Sequence, residues 1–213
     1  MKKTMKTIVV AVATVLTLAS CGKGKETGKE TTNELEKHEV AKSNDDLKSF
    51  MLAGIYTING YDGIDAVVEN VGDADETDSY TQLLEFPFEQ GQEGAAEMLS
   101  NMWNINSKED LAKRLGELLN DEKSKTKAWD YARLVNNVNM GYAANYLTKD
   151  EGKKWASQAL AKAKTNFKNW DDYHKNFMEG RKAWNKDDED TATFEELSKN
   201  ISAMSVYKNN PLN

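Results

Sequence analysis

The chain has 213 residues, 39% of them hydrophobic and 30% charged, with 35 Asp and Glu against 28 Lys and Arg for a formal net charge of −7. An acidic chain repels phosphate backbones and anionic headgroups, so nucleic acid is not an expected partner and no polybasic membrane patch is expected. One cysteine excludes an internal disulfide framework, so stability must come from a packed core that a domain of about 160 residues can build.

The chain opens Met1-Lys2-Lys3-Thr4-Met5-Lys6, runs apolar from Ile8 to Leu18, and then reads Leu18-Ala19-Ser20-Cys21. A basic start, an apolar stretch too short to span a bilayer and small residues at its end describe a secretory signal. Leu18-Ala19-Ser20-Cys21 resembles the bacterial lipoprotein lipobox. The resemblance implies cleavage after Ser20 and a diacylglyceryl group on the Cys21 thiol, so residues 1–20 are an expected signal peptide. Removal of Lys2, Lys3 and Lys6 with it takes the net charge from −7 to −10. The expected location is the cell envelope, lipid-anchored to a membrane, the outer membrane being favoured if the cell has one.

From Gly22 to Ser43 the chain is rich in Gly, Lys, Glu and Thr, with Leu35 and Val40 as its sizeable aliphatics. Such a segment buries too little to offset chain entropy, so residues 21–43 read as a lipidated cysteine and flexible tether. A helical period begins near Asn44, with Ser43 and Asp46 as a capping box and Leu47, Phe50, Met51, Gly54, Ile55 and Ile58 on one face. From Asn59 to Gln92, Gly60, Gly63, Gly72, several aspartates and Pro87 break the chain into short pieces. Val67, Val68, Leu83, Leu84, Phe86 and Phe88 are expected to hold these pieces against the bundle.

Further helix starts are signalled at Ser107 with Asp110, Thr148 with Glu151, Asn169 with Asp172, and Thr193 with Glu196. Four apolar stripes follow: Leu111, Leu115, Leu118 and Leu119; Ala128, Ala132, Val135, Val138, Tyr142 and Tyr146; Trp155, Ala159, Ala163 and Phe167; Trp170, Tyr173, Phe177 and Trp184. Links such as Leu147-Thr148 and Lys168-Asn169 predict antiparallel neighbours. The expected fold is all-α, an irregular bundle of about six to eight helices over residues 44–208, with 209–213 as a C-terminal tail.

Trp129-Asp130-Tyr131-Ala132-Arg133, then Gly141-Tyr142, then Asn169-Trp170-Asp171-Asp172-Tyr173, then Gly180-Arg181-Lys182-Ala183-Trp184 occur in that order. This series resembles the bacterial domain of unknown function 1266 family over about residues 95–185, the front half including Trp103 and the Leu111 to Leu119 helix. The resemblance implies an α-helical domain and no particular reaction. Asn139 stands where that family often has a bulky or basic residue, and Asn136 and Asn137 make the helix more polar than expected.

Asp130 and Arg133 stand three apart on one helical face, and Arg181 follows Gly180. Two readings stand side by side. In one, Asp130, Arg133, Arg181 and Tyr142 form a pocket for a small anion or an anionic substrate; in the other, they are a structural ion-pair network. Trp103, Trp129, Trp155, Trp170 and Trp184 are expected at helix ends, packing against the core. His38 lies in the tether and His174 on a helix, where it is expected as a surface or boundary residue; the two cannot form a helical metal face and no third ligand has matching spacing, so no metal set and no cofactor is expected. Asp62, Asp65, Asp73, Asp75 and Asp78 do not fit a calcium loop. Nucleophile-elbow, phosphate-loop and zinc-protease motifs do not occur. The sequence therefore points to a membrane-anchored protein with a non-catalytic binding or interaction domain and a possible protein partner. Its alternatives are an enzyme or small-anion binder and an immunity-type partner of a secreted toxin.

Overall fold

A computed structural model describes residues 45–71, 76–185 and 190–213. Cys21, His38, the tether and the Ser43 cap lie outside these residues. The described chain is all-α and without strands: α1 (45–51), α2 (Gly54–Gly60), α3 (Ile64–Val71), α4 (Glu76–Leu84), α5 (Ala95–Trp103), α6 (Lys108–Asn120), α7 (Lys127–Ala143), α8 (Lys149–Asn166), α9 (Trp170–Asn185), α10 (Thr191–Asn200), a 3-10 turn (Ile201–Ala203) and α11 (Ser205–Asn209). These exceed the six to eight helices expected because the chain before α5 is cut into four short pieces. Leu47, Phe50, Met51, Gly54, Ile55 and Ile58 are all buried as expected. They nevertheless belong to two helices, because the chain turns at Leu52 and Ala53.

Carbonyls at that turn are met by buried tyrosines. The Tyr207 hydroxyl donates to the Met51 carbonyl at 3.0 Å, and the Tyr173 hydroxyl lies 2.9 Å from the Leu52 carbonyl. A buried carbonyl left without a donor would cost about 1–3 kcal/mol, so these bonds make the turn compatible with a dry interior. At the next turn Asp62 and Gly63 take positive φ values of 70° and 106° and reverse the chain into α3. Val67, Leu83, Leu84 and Phe86 are buried against the bundle, whereas Val68 is 51% exposed and does not join them. It follows Val67 directly, and adjacent residues on a helix point about 100° apart.

The predicted helix starts divide. The Thr148 side chain accepts from the Glu151 N–H and Glu151 reciprocates, a complete capping box for α8. The Lys108 ammonium at 2.6 Å and the Thr148 N–H pull the Glu151 carboxyl down to about 2. Ser107 Oγ accepts from the Asp110 N–H at 3.1 Å, and Asn169 Oδ1 from the Asp172 N–H at 2.9 Å. Thr193 is not a cap: α10 begins at Thr191, two residues earlier, with Asp190 at the N-cap position.

Helix α7 is the axis of the bundle, with α5, α6, α8 and α9 packed around it. Antiparallel packing holds for α7 with α8. Asn166 near the end of α8 donates to the Tyr131 hydroxyl near the start of α7 at 3.2 Å, while Gly152 near the start of α8 faces Val138 farther along α7. A Cβ on Gly152 would fall 2.8 Å from the Phe86 ring, so this close approach needs glycine. Successive helices do not always pair, however: α8 and α9 both lie chiefly on α7. Leu111, Leu115, Leu118 and Leu119 of α6 are all buried, each worth about 1.5–3 kcal/mol for complete burial. Lys153 of α8 bridges Asp46 of α1 at 2.8 Å and Glu85 after α4 at 3.4 Å. Burial still holds the Glu85 carboxyl above the ordinary glutamate range.

The last five residues are docked. Asn210 and Leu212 are buried, the Trp170 indole N–H donates to the Asn210 carbonyl at 2.8 Å, and Asn213 Nδ2 donates to the Phe167 carbonyl at 2.7 Å. Beneath them sits His174, expected as a surface or boundary residue but 1% exposed. Its ring stacks on Trp170 at 6.0 Å and meets Tyr207 edge-on at 5.4 Å, with Nδ1 3.2 Å from Ser202 Oγ. The C-terminal segment supplies this cover, which local periodicity in α9 could not reveal.

Burial pushes the His174 imidazole down to about 3, against roughly 6.5 in an unfolded chain. Between these values the unfolded state binds the extra proton, so falling pH favours unfolding, by about 1.4 kcal/mol per unit at most from this group. Its contribution is complete above pH ~6.5 and is lost as pH falls toward 3. Denaturant unfolding of wild type and His174→Phe at stepped pH should show the steeper acid loss in wild type. A His174 ring titrating near pH 6.5 in folded protein would contradict this burial.

Candidate functional site

The site is built on the first turns of α7, which α9 holds in place. Asn176 Oδ1 accepts from the Ala128 N–H at 3.0 Å, and its Nδ2 donates to the Lys125 carbonyl at 2.9 Å. Asn176 thus does the capping that Thr126, at the N-cap position, does not do with its own side chain. Gly180 makes the docking possible. A Cβ there would fall 2.5 Å from Trp129 Cβ and 2.9 Å from Thr126 Cβ.

On this anchored turn Asp130 accepts from Arg133 Nη2 in an ion pair, and its carboxylate sits where the helix dipole favours negative charge. Arg133 Nε also reaches the Trp129 carbonyl at 3.4 Å. The guanidinium lies 3.6 Å from the Trp129 ring centre and 5.7 Å from that of Trp103, at the end of α5. A planar cation between indoles gains cation–π attraction while keeping its edge free for the carboxylate. Its side chain is 22% exposed and that of Asp130 9%.

Both line a cleft of about 490 Å³ between α6 and α7, completed by Arg114, Glu117, Leu118, Asn120 and Asp121. Arg114 is turned toward Glu117 at 2.9 Å, and that pair also borders a smaller hollow lined by Trp103, Asn104 and Asp110. Arg181 does not line the cleft. It is buried, its guanidinium 4.0 Å from the Phe194 ring centre and 5.9 Å from that of Trp184, which in turn leans on Trp129 at 6.3 Å. Tyr56 packs edge-on against Phe177 and Phe194 at 5.5 and 5.6 Å. Burial raises its hydroxyl to about 12, while Arg133 and Arg181 pull in the other direction.

The four-residue pocket expected from sequence is therefore not assembled. Tyr142 lies twelve residues along α7 from Asp130, about 18 Å at helical rise, beside Phe86 at 4.8 Å and below Lys149 at 5.5 Å. Of the tryptophans, Trp170 is buried, and Trp103, Trp129 and Trp155 pack partly buried against the core. Trp155 sits within α8 rather than at its end, and Trp184 is 60% exposed and is not core. Asp62 and Asp65 line a separate cavity of about 360 Å³ with Glu196; Asp73 and Asp75 lie outside the described residues. No cluster of three or more potential metal ligands occurs among the described residues. Sequence reasoning missed Arg114, Glu117, Tyr56 and Phe194. An Arg and a Glu three apart on the outer face of α6 were a readable signal for the first two; nothing local points to the others.

The fold and this site define an all-helical domain with a charged, aromatic-backed cleft. Residues 122–212 match the family described as Protein of unknown function (DUF1266). That match takes in Asp130, Arg133 and Arg181 and runs on through α10 and α11, beyond the 95–185 span of the sequence resemblance; α5 and α6 lie outside it. No curated protein and no solved structure matches the chain.

Asp130→Ala should strand the Arg133 guanidinium, but that group reaches solvent. The cost should thus be near that of a lost charged hydrogen bond, about 2 kcal/mol, below the 3–5 kcal/mol of a fully buried pair. Thermal melting should fall by roughly 4–8 °C at about 2–4 °C per kcal/mol; an unchanged melting point would remove the pair from the fold's support.

Proposed function

We propose that the protein is a lipoprotein held to a membrane of the bacterial cell envelope through Cys21, and that its helical domain binds a ligand or partner without catalysing a reaction. The anchor rests on Leu18-Ala19-Ser20-Cys21 and the basic and apolar segment before it. Lipid attachment contributes roughly 0.8 kcal/mol per buried methylene, and two or more chains give a stable hold. Among the described residues no helix is long and apolar enough to cross a membrane, so the lipid is the attachment that this reading relies on.

The observation carrying the binding reading is the cleft itself. Its side chains are set in position by ion pairs and ring stacking before any ligand arrives: Arg133 on Trp129 and Asp130, Arg114 on Glu117. Such preorganisation lowers the entropy that binding must overcome. An acid–base mechanism would instead want Tyr142 within hydrogen-bond reach of Asp130, and the two are several helical turns apart.

Mass spectrometry of protein taken from the membrane fraction should find a chain starting at Cys21 with an acyl-glyceryl addition. Cys21→Ser should remain unprocessed. A mature chain bearing an unmodified Cys21 would remove the anchor.

A further inference from the structure

Two of the largest apolar side chains left in water stand where helices run past the body they pack on: Trp184 in the last turn of α9, 60% exposed, and Met102 in the last turn of α5, 70% exposed. They are linked by rings. Trp184 leans on Trp129 at 6.3 Å, and Met102 precedes Trp103, whose indole flanks the Arg133 guanidinium from the side away from Trp129, at 5.7 against 3.6 Å. Trp103 and Trp129 are only partly buried, and Arg133 is neutralised by Asp130. Indoles carry an apolar ring with a polar N–H at its edge, which suits the boundary between water and hydrocarbon. The patch also lies at the end of the bundle where α1 begins. Tyr131, two residues after Trp129, meets Asn166 at 3.2 Å near the end of α8, and Lys164 one half-turn earlier pairs with Asp45, the first residue of α1, at 3.1 Å.

We propose that this end of the molecule, with Trp184 and Met102 foremost, rests in the headgroup region of the membrane that holds the lipid on Cys21. The inference deepens the anchoring reading above and rests on it. The length of chain before α1 supports it. Cys21 and Asp45 are 24 residues apart, a span of at most about 80 Å, whereas a body of about 160 residues has a radius of gyration near 15 Å. The patch is therefore within reach of the surface. Once the lipid holds the chain there, a second contact is intramolecular, so a patch too weak to recruit free protein still closes on the membrane. With a net charge of −10 after loss of the signal segment, the chain is repelled by anionic lipid, and ring burial at a zwitterionic surface is the contact that this patch can make.

Tryptophan fluorescence of the whole lipidated protein in phosphatidylcholine vesicles tests the proposal. Bromine-labelled acyl chains should quench its emission, and acrylamide in the water should quench it at least twofold less than in the unlipidated mature chain free in solution. Trp184→Ser, at an exposed position, should keep the melting point and remove at least half of the bromine quenching. Met102→Gln leaves every tryptophan in place and should also lower that quenching, by weakening the seating rather than by removing a reporter. Lipidated protein that floats with the vesicles yet shows neither effect overturns the proposal and leaves the anchor standing. If Cys21 proves unmodified, the anchor fails by itself, and the unlipidated chain is mixed with the same vesicles at millimolar lipid: bromine quenching then supports the patch, and its absence overturns it. Shielding of Trp184 from acrylamide that grows with protein concentration in the absence of vesicles assigns the patch to a second copy of the chain and overturns the membrane claim.

Discussion

The docking of α9 on the first turn of α7 is the contact on which the rest of the molecule depends. Tyr173 shows why: its hydroxyl lies 2.9 Å from the Leu52 carbonyl at the α1–α2 turn and 3.0 Å from the Ala128 carbonyl in α7. With one proton it serves one carbonyl at a time, and it brings together three parts of the chain 45 or more residues apart. The hydroxyl is fully desolvated and its pKa is pushed well above the ordinary tyrosine value, so it stays a donor at every physiological pH. Asn176 and Gly180 lie one and two turns farther along the same helix, where they cap α7 and admit Trp129. Each depends on the same seating of α9, so a substitution at one is felt at the others, and their energies should not add.

That seating also sets the electrostatics of the site. Trp129 is pressed against Gly180 on one side and offers its ring to Arg133, so the guanidinium is located by packing before Asp130 binds its edge. A lysine could carry the charge at this position but could neither stack flat on the indole nor keep an in-plane donor on the carboxylate. Arg181 repeats the arrangement at Phe194 and Trp184, and the contact of Trp184 with Trp129 joins the two ring–guanidinium sets into one ribbon from Trp103 to Phe194. Partly buried Tyr56 lies where the charges of both arginines reach it.

Much of the fold is legible in sequence because α6, α8 and most of α9 obey local rules. The Leu111 to Leu119 stripe, the Thr148–Glu151 box and the Asn169 cap need only neighbours within four residues. What escaped reading depends on distant chain. His174 looks like a surface residue until α11 covers it, and Trp184 looks like core because it falls in register with Phe177, yet α9 runs past the body it packs on. Asn137 and Asn139, which make α7 look too polar for a core helix, are both buried, and Asn137 shows no protein hydrogen-bond partner for either amide atom. In the site, the three-residue spacing was enough to find the Asp130–Arg133 pair. It could not place Tyr142 eighteen ångströms away in practice, because a shared helix does not imply a shared pocket.

Helix α6 separates the two demands placed on this part of the molecule. Its leucines face α7 and fix the bundle, while Arg114, Glu117, Asn120 and Asp121 stand on the side that opens to the cleft. Leu118 alone serves both, as core residue and as cleft wall. Surface changes away from caps and buried networks usually move stability by about 0.5 kcal/mol or less, so the charge of this wall can be altered while the bundle stays intact. The opposite wall has no such freedom. Asp130 and Arg133 are tied into Trp129 and through it to Gly180, so any change in what that wall presents disturbs the contact that holds α7 and α9 together. One side of the cleft is thereby fixed by the fold, and the adjustable side, α6, is where the cleft's preference for one ligand over another can be set.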